Sequence, residues 1–246
     1  MSRWIFGLQP VREVLRARGA EVRQLLVEPS PSPRREGIAK LAASLGVPIE
    51  SVSRDELDRR ARGAIHQGIA AEAPPLRIVD QAVLLEQLEA EPNPLVVLLD
   101  GVVDPQNFGA VVRSAVALGA RHVVWPEHGA APLSPATFRA SAGAVEHATF
   151  ARVRALPELI HALKERGFTV VVLDAQATET LEQLDLSGPV GLVVGAEQKG
   201  ARPAVRRAAT ALAKLPMSGA IDSLNASVAS ALALYEVGRQ RRMKPH

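Results

Sequence analysis

Residues 95–99 read Leu-Val-Val-Leu-Leu, a run in which every side chain is apolar. A strand of this composition is typical of a parallel sheet whose two faces are both covered by helices. Four more mostly apolar runs follow, separated by stretches of helical periodicity: His122–Trp125, Thr169–Leu173, Val190–Val194 and Ala211–Leu215. Together they predict a parallel-sheet α/β domain over residues 95–246.

A smaller alternating pattern precedes this domain. Residues 7–18 have the apolar spacing of an amphipathic helix, residues 22–27 are predicted to form a strand, and Ser53-Arg54-Asp55-Glu56 has the spacing of a capping box. Residues 1–75 are therefore predicted to be a separate small α/β domain. Residues 76–94 are predicted to be a linker that contains one helix.

The composition of the 246 residues restricts the chemistry. There is no cysteine, which excludes disulfides and thiolate catalysis and suits a reducing cytoplasm. No signal peptide or membrane-spanning run is evident near the start of the sequence. The histidines are scattered without metal-ligand spacing, so no metal site is predicted: His66, His122, His128, His147, His161 and His246.

The charge of the chain leaves two interpretations open. The isoelectric point is about 9.7 although the net charge is only +3, and 24 of the 29 basic residues are arginine. Arginine suits phosphate recognition, which favours a nucleic-acid partner. The same bias also arises from the codon usage of a GC-rich genome. Aromatic residues make up only 3% of the chain, which argues against an extended base-stacking platform.

The first of three loops that could carry chemistry follows residues 95–99. It leads into a helix with Asn107 near its start and Arg113 on a mostly apolar stretch. Such an arginine needs a phosphate or carboxylate partner, or else its head group extends into solvent.

The second and third loops follow later strands. Residues 195–200 read Gly-Ala-Glu-Gln-Lys-Gly, a strand-turn-helix connection in which Glu197 is either a ligand-facing group or a solvated turn residue. Residues 215–227 are either the floor of an active site or an ordinary loop entering an N-capped helix. Because all three loops lie at the carboxyl ends of predicted strands, one composite site is the better explanation.

Taken together, the three loops resemble the motifs of SPOUT-class RNA methyltransferases, in the TrmH-like branch that methylates ribose 2′-hydroxyls. Residues 104–113 match the first motif, residues 195–200 the second and residues 215–235 the third. Gly7-Leu8-Gln9-Pro10-Val11 and His66-Gln67-Gly68-Ile69 also resemble the accessory domain of bacterial large-subunit rRNA guanosine 2′-O-methyltransferases. The resemblance covers nearly the whole chain.

This resemblance implies a fold and an assembly. The expected fold is a small L30e-like N-terminal α/β domain followed by a SPOUT domain with a C-terminal trefoil knot, through which residues 215–225 are threaded. The expected assembly is a cytoplasmic homodimer, with close helix packing allowed by a set of small residues: Ser227, Ala229, Ser230, Ala231 and Ala233.

The resemblance also implies an activity. The expected reaction is methyl transfer from S-adenosylmethionine to the ribose 2′-OH of a guanosine in 23S rRNA or its precursor particle, without a metal or a membrane. The implied cofactor-binding residues are Gly195, Leu215, Met217 and Leu224. The implied catalytic residues are Asn107, Arg113, Glu197, Ser223 and Asn225.

Two questions stay open at this point. The family assigns the base role to Arg113, yet a guanidinium is normally protonated, so Arg113 is alternatively a phosphate ligand that stabilises the developing alkoxide. The rival functions are a tRNA ribose methyltransferase and a non-enzymatic RNA-binding or ribosome-assembly protein. Residues 1–75 are expected to bind the RNA and carry 12 basic against 9 acidic residues.

Overall fold

The computed structural model describes residues 2–129, 133–218 and 223–243. The chain divides into two compact units. The first comprises Met1–Leu76 together with Ser141–His147, and the second comprises Arg77–Ala140 together with Ala148–His246.

The first unit is a four-stranded sheet with three helices. Its elements in chain order are β1 (Arg3–Phe6), α1 (Leu8–Arg18), β2 (Gln24–Val27), α2 (Pro33–Ser44), β3 (Ile49–Ser51), α3 (Arg54–Ala61) and β4 (Ile69–Ala73). The strand order is β1-β4-β2-β3. β4 is antiparallel to both β1 and β2, whereas β2 and β3 are parallel. The predicted small α/β pattern is therefore present, with β1 as an additional strand.

Local side-chain chemistry explains where the helices of this unit begin. Ser53 is the N-cap of α3 and accepts a hydrogen bond from the Glu56 backbone N–H at 3.3 Å, as its capping-box spacing predicts. α1 begins differently. The side-chain oxygen of Gln67 accepts a hydrogen bond of 2.9 Å from the Leu8 backbone N–H. The His66-Gln67-Gly68 motif thus joins the loop before β4 to the first turn of α1.

Gly68 is required by its surroundings. Its φ of +75° lies in the region that side chains disfavour, and an added Cβ would lie 1.7 Å from Nη1 of Arg35. That guanidinium is paired with Glu28 at 2.8 Å. The segment Ser141–His147 is held in the same unit by ion pairs, including one of 2.5 Å between Arg3 and Glu146.

The second unit is a seven-stranded sheet flanked by helices. Its elements are β5 (Ile78–Val79), α4 (Gln81–Glu89), β6 (Leu95–Asp100), α5 (Pro105–Ala117), β7 (His122–Pro126), α6 (Pro135–Ala140), β8 (Thr149–Val153), α7 (Leu156–Glu165), β9 (Thr169–Leu173), β10 (Val190–Gly195), α8 (Pro203–Ala208), β11 (Ala211–Ala213) and α9 (Ala226–Met243). The predicted strands are present, although β11 ends two residues earlier than expected. Two strands, β5 and β8, were not predicted.

The strand order of the second sheet is β11-β9-β10-β6-β7-β8-β5, and every neighbouring pair is parallel. The predicted parallel α/β domain is confirmed. One of its core clusters joins α4, α7 and α8 to the sheet through buried residues such as Leu84, Leu156 and Val205. α5 packs against α9, which also contacts β10.

The stretch at residues 76–94 differs from the expected linker. It contains the predicted helix, α4, but that helix contributes Leu84 and Leu88 to the core of the second unit. β5 pairs in parallel with β8. The buried apolar side chains of α4 are shielded from water because they pack on the sheet of the second unit. Most of this stretch therefore belongs to the second unit.

None of the helices in the described ranges combines the length and hydropathy that a bilayer span requires. Within the same ranges, no cluster of histidine, aspartate or glutamate side chains has the arrangement of a metal site.

Candidate active site

The order of the parallel strands indicates where a ligand would bind. From β6 the chain proceeds through β7 to β8 on one side, whereas β9, β10 and β11 lie on the other side of β6. The order therefore reverses between β6 and β10. In open parallel sheets, ligands bind outside the carboxyl ends of the strands at such a reversal. Asp100 and Gly195 are register partners at the carboxyl ends of these two strands.

The loop after β6 leads directly into α5. Asp104 is the N-cap of this helix, and its carboxylate accepts hydrogen bonds from the backbone N–H groups of Gln106 at 3.2 Å and Asn107 at 3.1 Å. Pro105 occupies the first helical position, where its missing N–H costs nothing. Phe108 one residue later is fully buried. This local geometry fixes Asn107 in the first turn of α5, half-buried beside the carboxyl end of the sheet.

The turn after β10 is closed by its own backbone. Ala196 and Gly200 exchange two backbone hydrogen bonds of 3.1 and 2.8 Å, and Glu197 lies exposed in the turn between them. Gly195 permits this closure because an added Cβ would lie 2.3 Å from the Ala201 nitrogen and the Gly200 carbonyl carbon. No side chain can occupy that space, so position 195 requires glycine.

A buried carboxylate ties this turn to the neighbouring strand. Asp100 has no exposed surface, and its two oxygens accept hydrogen bonds of 2.7 Å from the backbone N–H and from Nε of Arg202. Nη2 of Arg202 lies 2.6 Å from the same carboxylate. A buried charge is tolerated only when it is paired and hydrogen-bonded in this way. Asp100 and Arg202 therefore position the turn that carries Glu197.

The third element of the site is the start of α9. The side-chain oxygen of Asn225 accepts hydrogen bonds from the Ser227 N–H at 2.9 Å, the Ser227 hydroxyl at 2.5 Å and the Val228 N–H at 3.4 Å. This is an N-cap, as the sequence allowed. The amide nitrogen of Asn225 remains free to donate in the opposite direction.

That nitrogen closes a three-residue hydrogen-bond cluster. Nδ2 of Asn225 donates to Oδ1 of Asn107 at 3.0 Å and to Oε1 of Glu197 at 2.5 Å. Nδ2 of Asn107 donates to the same Glu197 oxygen at 2.9 Å. The polar cluster Asn107–Glu197–Asn225 thus joins α5, the turn after β10 and α9. One residue from each of the three predicted loops takes part.

The remaining predicted site residues lie outside this cluster. Arg113 is exposed on α5, about 9 Å further along the helix axis than Asn107. It makes no hydrogen bond or ion pair with the residues that the structure describes. Ser223 is exposed, Leu215 and Leu224 are half-buried, and Met217 is 38% exposed. Residues 219–222, between the two parts of the third loop, lie outside the described residues.

Asp100 and Arg202 were not among the predicted site residues. Asp100 does carry a signal in the sequence, because an aspartate directly after five apolar residues ends a strand that is buried on both faces. Arg202 carries no comparable signal, since 24 arginines are scattered along the chain.

Comparisons with known proteins identify the family of this chain. Residues 94–235 match the model of the SpoU rRNA methylase family. Residues 4–79 match a second model, described as RNA 2′-O ribose methyltransferase substrate binding. The chain is 40% identical over 245 residues to the 23S rRNA (guanosine-2′-O-)-methyltransferase RlmB of Pseudomonas aeruginosa, and the match covers 98% of each chain.

Two solved structures resemble the fold along nearly its full length. The crystal structure of an RNA 2′-O ribose methyltransferase is 31% identical, has a TM-score of 0.78, and covers 98% of this chain and 89% of its own. The AdoMet-bound rRNA methyltransferase from Sinorhizobium meliloti is 27% identical, with a TM-score of 0.75 and coverage of 97% and 87%. With the two family models and the full-length relative, the assignment is clear: the chain belongs to the SpoU rRNA methylase family.

Proposed function

We propose that this protein transfers a methyl group from S-adenosylmethionine to the ribose 2′-OH of a guanosine in 23S rRNA. The observation that carries the proposal is the polar cluster Asn107–Glu197–Asn225 at the carboxyl ends of β6 and β10. Its three members come from the three motifs of the family. The full-length similarity to an RlmB protein supports guanosine and 23S rRNA as the substrate.

The predicted cofactor-binding residues suit S-adenosylmethionine. Leu215, Met217 and Leu224 keep part of their apolar surface exposed, and apolar side chains line most of a typical cofactor pocket. Gly195 brings backbone rather than a side chain to the end of β10. These four residues would hold the cofactor, which when bound supplies an electrophilic methyl group on a sulfonium.

The cluster itself would orient the reacting groups. Oε1 of Glu197 accepts two amide hydrogens, so this oxygen is fixed, and the remaining capacity of the carboxylate is available to the ribose. Ser223, exposed two residues before Asn225, adds a hydroxyl that can donate or accept. Holding the acceptor in one orientation converts binding energy into rate.

Arg113 would provide the positive charge. Its exposed side chain has no hydrogen-bond or ion-pair partner in the described ranges, so its guanidinium is available for an RNA phosphate. From there it would stabilise the alkoxide that develops as the 2′-OH loses its proton. The proton of the 2′-OH would go to a phosphate oxygen or to water.

The first unit would bind the RNA, in line with its match to a substrate-binding family model. The protein would act in the cytoplasm on 23S rRNA or its precursor particle. A trefoil knot at the third motif stays part of the proposal, and residues 219–222 of that motif lie outside the described residues.

We also infer a homodimer. α9 exposes an apolar stripe at helical spacing, formed by Val228, Leu232 and Tyr235, which are 47%, 47% and 55% exposed. Two copies of this chain could cover the stripe symmetrically. Leu232→Glu should convert the dimer to a monomer in equilibrium sedimentation. A monomeric wild-type protein would contradict the assembly without affecting the reaction.

The reaction is tested by mapping 2′-O-methyl marks in total RNA from cells with and without the gene. The proposal predicts that one guanosine mark in 23S rRNA disappears and that the marks in tRNA are unchanged. Loss of a tRNA mark would instead identify a tRNA ribose methyltransferase. An unchanged map, together with no uptake of S-adenosylmethionine in calorimetry, would identify a non-enzymatic RNA-binding or assembly protein.

A further inference from the structure

The first unit contains a cavity that shares no residue with the cluster described above. It has a volume of about 340 Å³ and is lined by one aromatic and four charged side chains: Trp4, Glu56, Arg59, Arg60 and Arg62. This volume is within the range of sites that hold a single small ligand, roughly 300–1,000 Å³. Trp4 comes from the edge strand β1, and the other four residues come from α3 and its C-cap.

One wall of the cavity is a cation–π pair. The guanidinium carbon of Arg60 lies 4.9 Å from the centroid of the Trp4 ring, and both side chains are half-buried. Aromatic rings and arginine planes are the two surfaces on which proteins stack single-stranded bases. The cavity thus combines both kinds of stacking surface.

The charge at the cavity is positive. The hydrogen bond from Arg60, reinforced by the charges of Arg59 and Arg60 and opposed by desolvation, holds the pKa of Glu56 below its ordinary value, so Glu56 is ionised at neutral pH. One negative charge then faces three guanidinium groups, which leaves a net charge of +2. The side chain of Arg62 has no ion-pair or hydrogen-bond partner in the described part of the chain, and only its backbone N–H is bonded, to the Asp58 carbonyl.

The backbone at Arg62 gives a further indication. Arg62 is the C-cap of α3 and has a φ of +48°, a conformation that glycine or asparagine adopts at lower cost. The positive charge of Arg62 is favourable at the carboxyl end of a helix, but its backbone conformation is not favourable for an arginine. Its side chain does contribute to the lining of the cavity.

We propose that this cavity binds one nucleotide of a single-stranded RNA segment, with its base stacked on the Trp4–Arg60 wall and its phosphate paired with Arg59 and Arg62. The inference rests on the proposed function, because it places one contact of the RNA substrate outside the methyl-transfer site. One aromatic ring is sufficient for a single base, so the low aromatic content of the chain does not oppose it.

The test uses the full-length protein and two RNAs, a mixed-sequence single-stranded oligoribonucleotide and a 23S rRNA transcript. Arg62→Gly should weaken binding of both about five- to ten-fold and lower the slope of log K against log[salt] by roughly 0.7, the value for one lost phosphate contact on a single strand. Its melting temperature should be unchanged or raised, since glycine suits the C-cap. Trp4→Leu should weaken binding roughly ten-fold or more.

Arg34→Ala is the matched control. Arg34 is an exposed arginine of the same unit, on α2, and it does not line the cavity. Its removal should change the affinity less than two-fold. If Arg62→Gly and Trp4→Leu bind both RNAs like the wild type, or if Arg34→Ala weakens binding as much as Arg62→Gly does, the cavity is not the site.

Intrinsic fluorescence distinguishes base stacking from general charge attraction. Trp125, the second tryptophan of the chain, is only 7% exposed, so Trp4 should dominate any quenching by the oligoribonucleotide. Trp4→Phe should abolish the quenching. Inorganic polyphosphate should bind without quenching, and equal quenching by polyphosphate would overturn the stacked base.

Methylation assays separate this inference from the proposed function. If both are right, the Arg62→Gly and Trp4→Leu variants raise KM for the transcript while kcat and the affinity for S-adenosylmethionine stay at wild-type values. If only the cavity assignment is wrong, the variants methylate with a wild-type KM. If the proposed function is wrong, the wild-type protein itself does not methylate the transcript.

Discussion

The side-chain amide of Asn225 donates a hydrogen bond of 3.0 Å to the side-chain oxygen of Asn107, although 118 residues separate them along the chain. The same nitrogen reaches Glu197, while the side-chain oxygen of Asn225 caps α9. Asn225 therefore serves two purposes, the stability of a helix end and the alignment of a polar cluster. Substitutions can separate them.

Asn225→Ser should keep the cap and lose the alignment. Serine is as good an N-cap as asparagine, so the free energy of unfolding should change by less than about 0.5 kcal/mol. The donor to Asn107 and Glu197 disappears, and kcat/KM for methyl transfer should fall about 10- to 100-fold. Asn225→Ala, as a comparison, should lose the cap as well and cost about 1 kcal/mol of stability in urea denaturation. Wild-type turnover in the serine variant would refute the role of the cluster.

Arg113→Ala should leave the fold intact and disable the reaction. The exposed side chain has no partner in the described residues, so the unfolding free energy should stay within about 0.5 kcal/mol of wild type. Loss of a charge at the developing alkoxide should lower kcat about 10²- to 10³-fold. Arg113→Lys should keep measurable turnover if charge alone is required. Arg121→Ala, an exposed control after the end of α5, should turn over normally, and equal activity in Arg113→Ala would exclude Arg113 from the chemistry.

Gly195→Ala should damage the cofactor site. The new methyl group would meet backbone atoms at 2.3 Å, so the turn after β10 must move, at a cost of about 1–3 kcal/mol in stability. Calorimetry should show at least a ten-fold weaker affinity for S-adenosylmethionine. Gly188→Ala is the control, because no atom lies within 4 Å of its added Cβ. An unchanged affinity in Gly195→Ala would remove this turn from the cofactor site.

Asp100→Asn should loosen the same turn, the one after β10, by weakening its attachment to β6. It weakens charge-assisted hydrogen bonds to Arg202 in a buried position, which should cost about 1–3 kcal/mol in unfolding experiments and also lower kcat/KM. In an Arg202→Ala background, Asp100→Asn should lower the free energy of unfolding by a clearly smaller amount, because the Asp100–Arg202 pair is already broken. Additive effects of the two changes would show that the two residues do not act together.

Much of the fold of the second unit can be predicted from the sequence, because the signals that specify its strands and loops are local. Runs such as Leu95–Leu99 predict strands buried on both faces, and the three loops at their carboxyl ends predict that Asn107, Glu197 and Asn225 lie close together. Ser53 marks a helix start for the same local reason, since its side chain accepts a hydrogen bond from the backbone three residues ahead.

The parts that sequence reasoning missed depend on distant partners. β8 mixes buried Phe150 with exposed Arg152, and β5 has only two residues, so neither has the apolar run of a central strand. Ser141–His147 belongs to the first unit through ion pairs such as Arg3–Glu146, which no local pattern indicates. The Asp100–Arg202 pair is similar, because 102 residues separate its members.

Methyl transfer by the purified protein tests the proposed reaction most directly. Isotope-labelled S-adenosylmethionine and a 23S rRNA transcript would be incubated with wild-type protein, and the RNA digested to nucleosides for mass spectrometry. We expect label in 2′-O-methylguanosine at a single position, formed about 10²- to 10³-fold more slowly by Arg113→Ala. Label on a base, label in a nucleoside other than guanosine, or no label in rRNA would contradict this expectation.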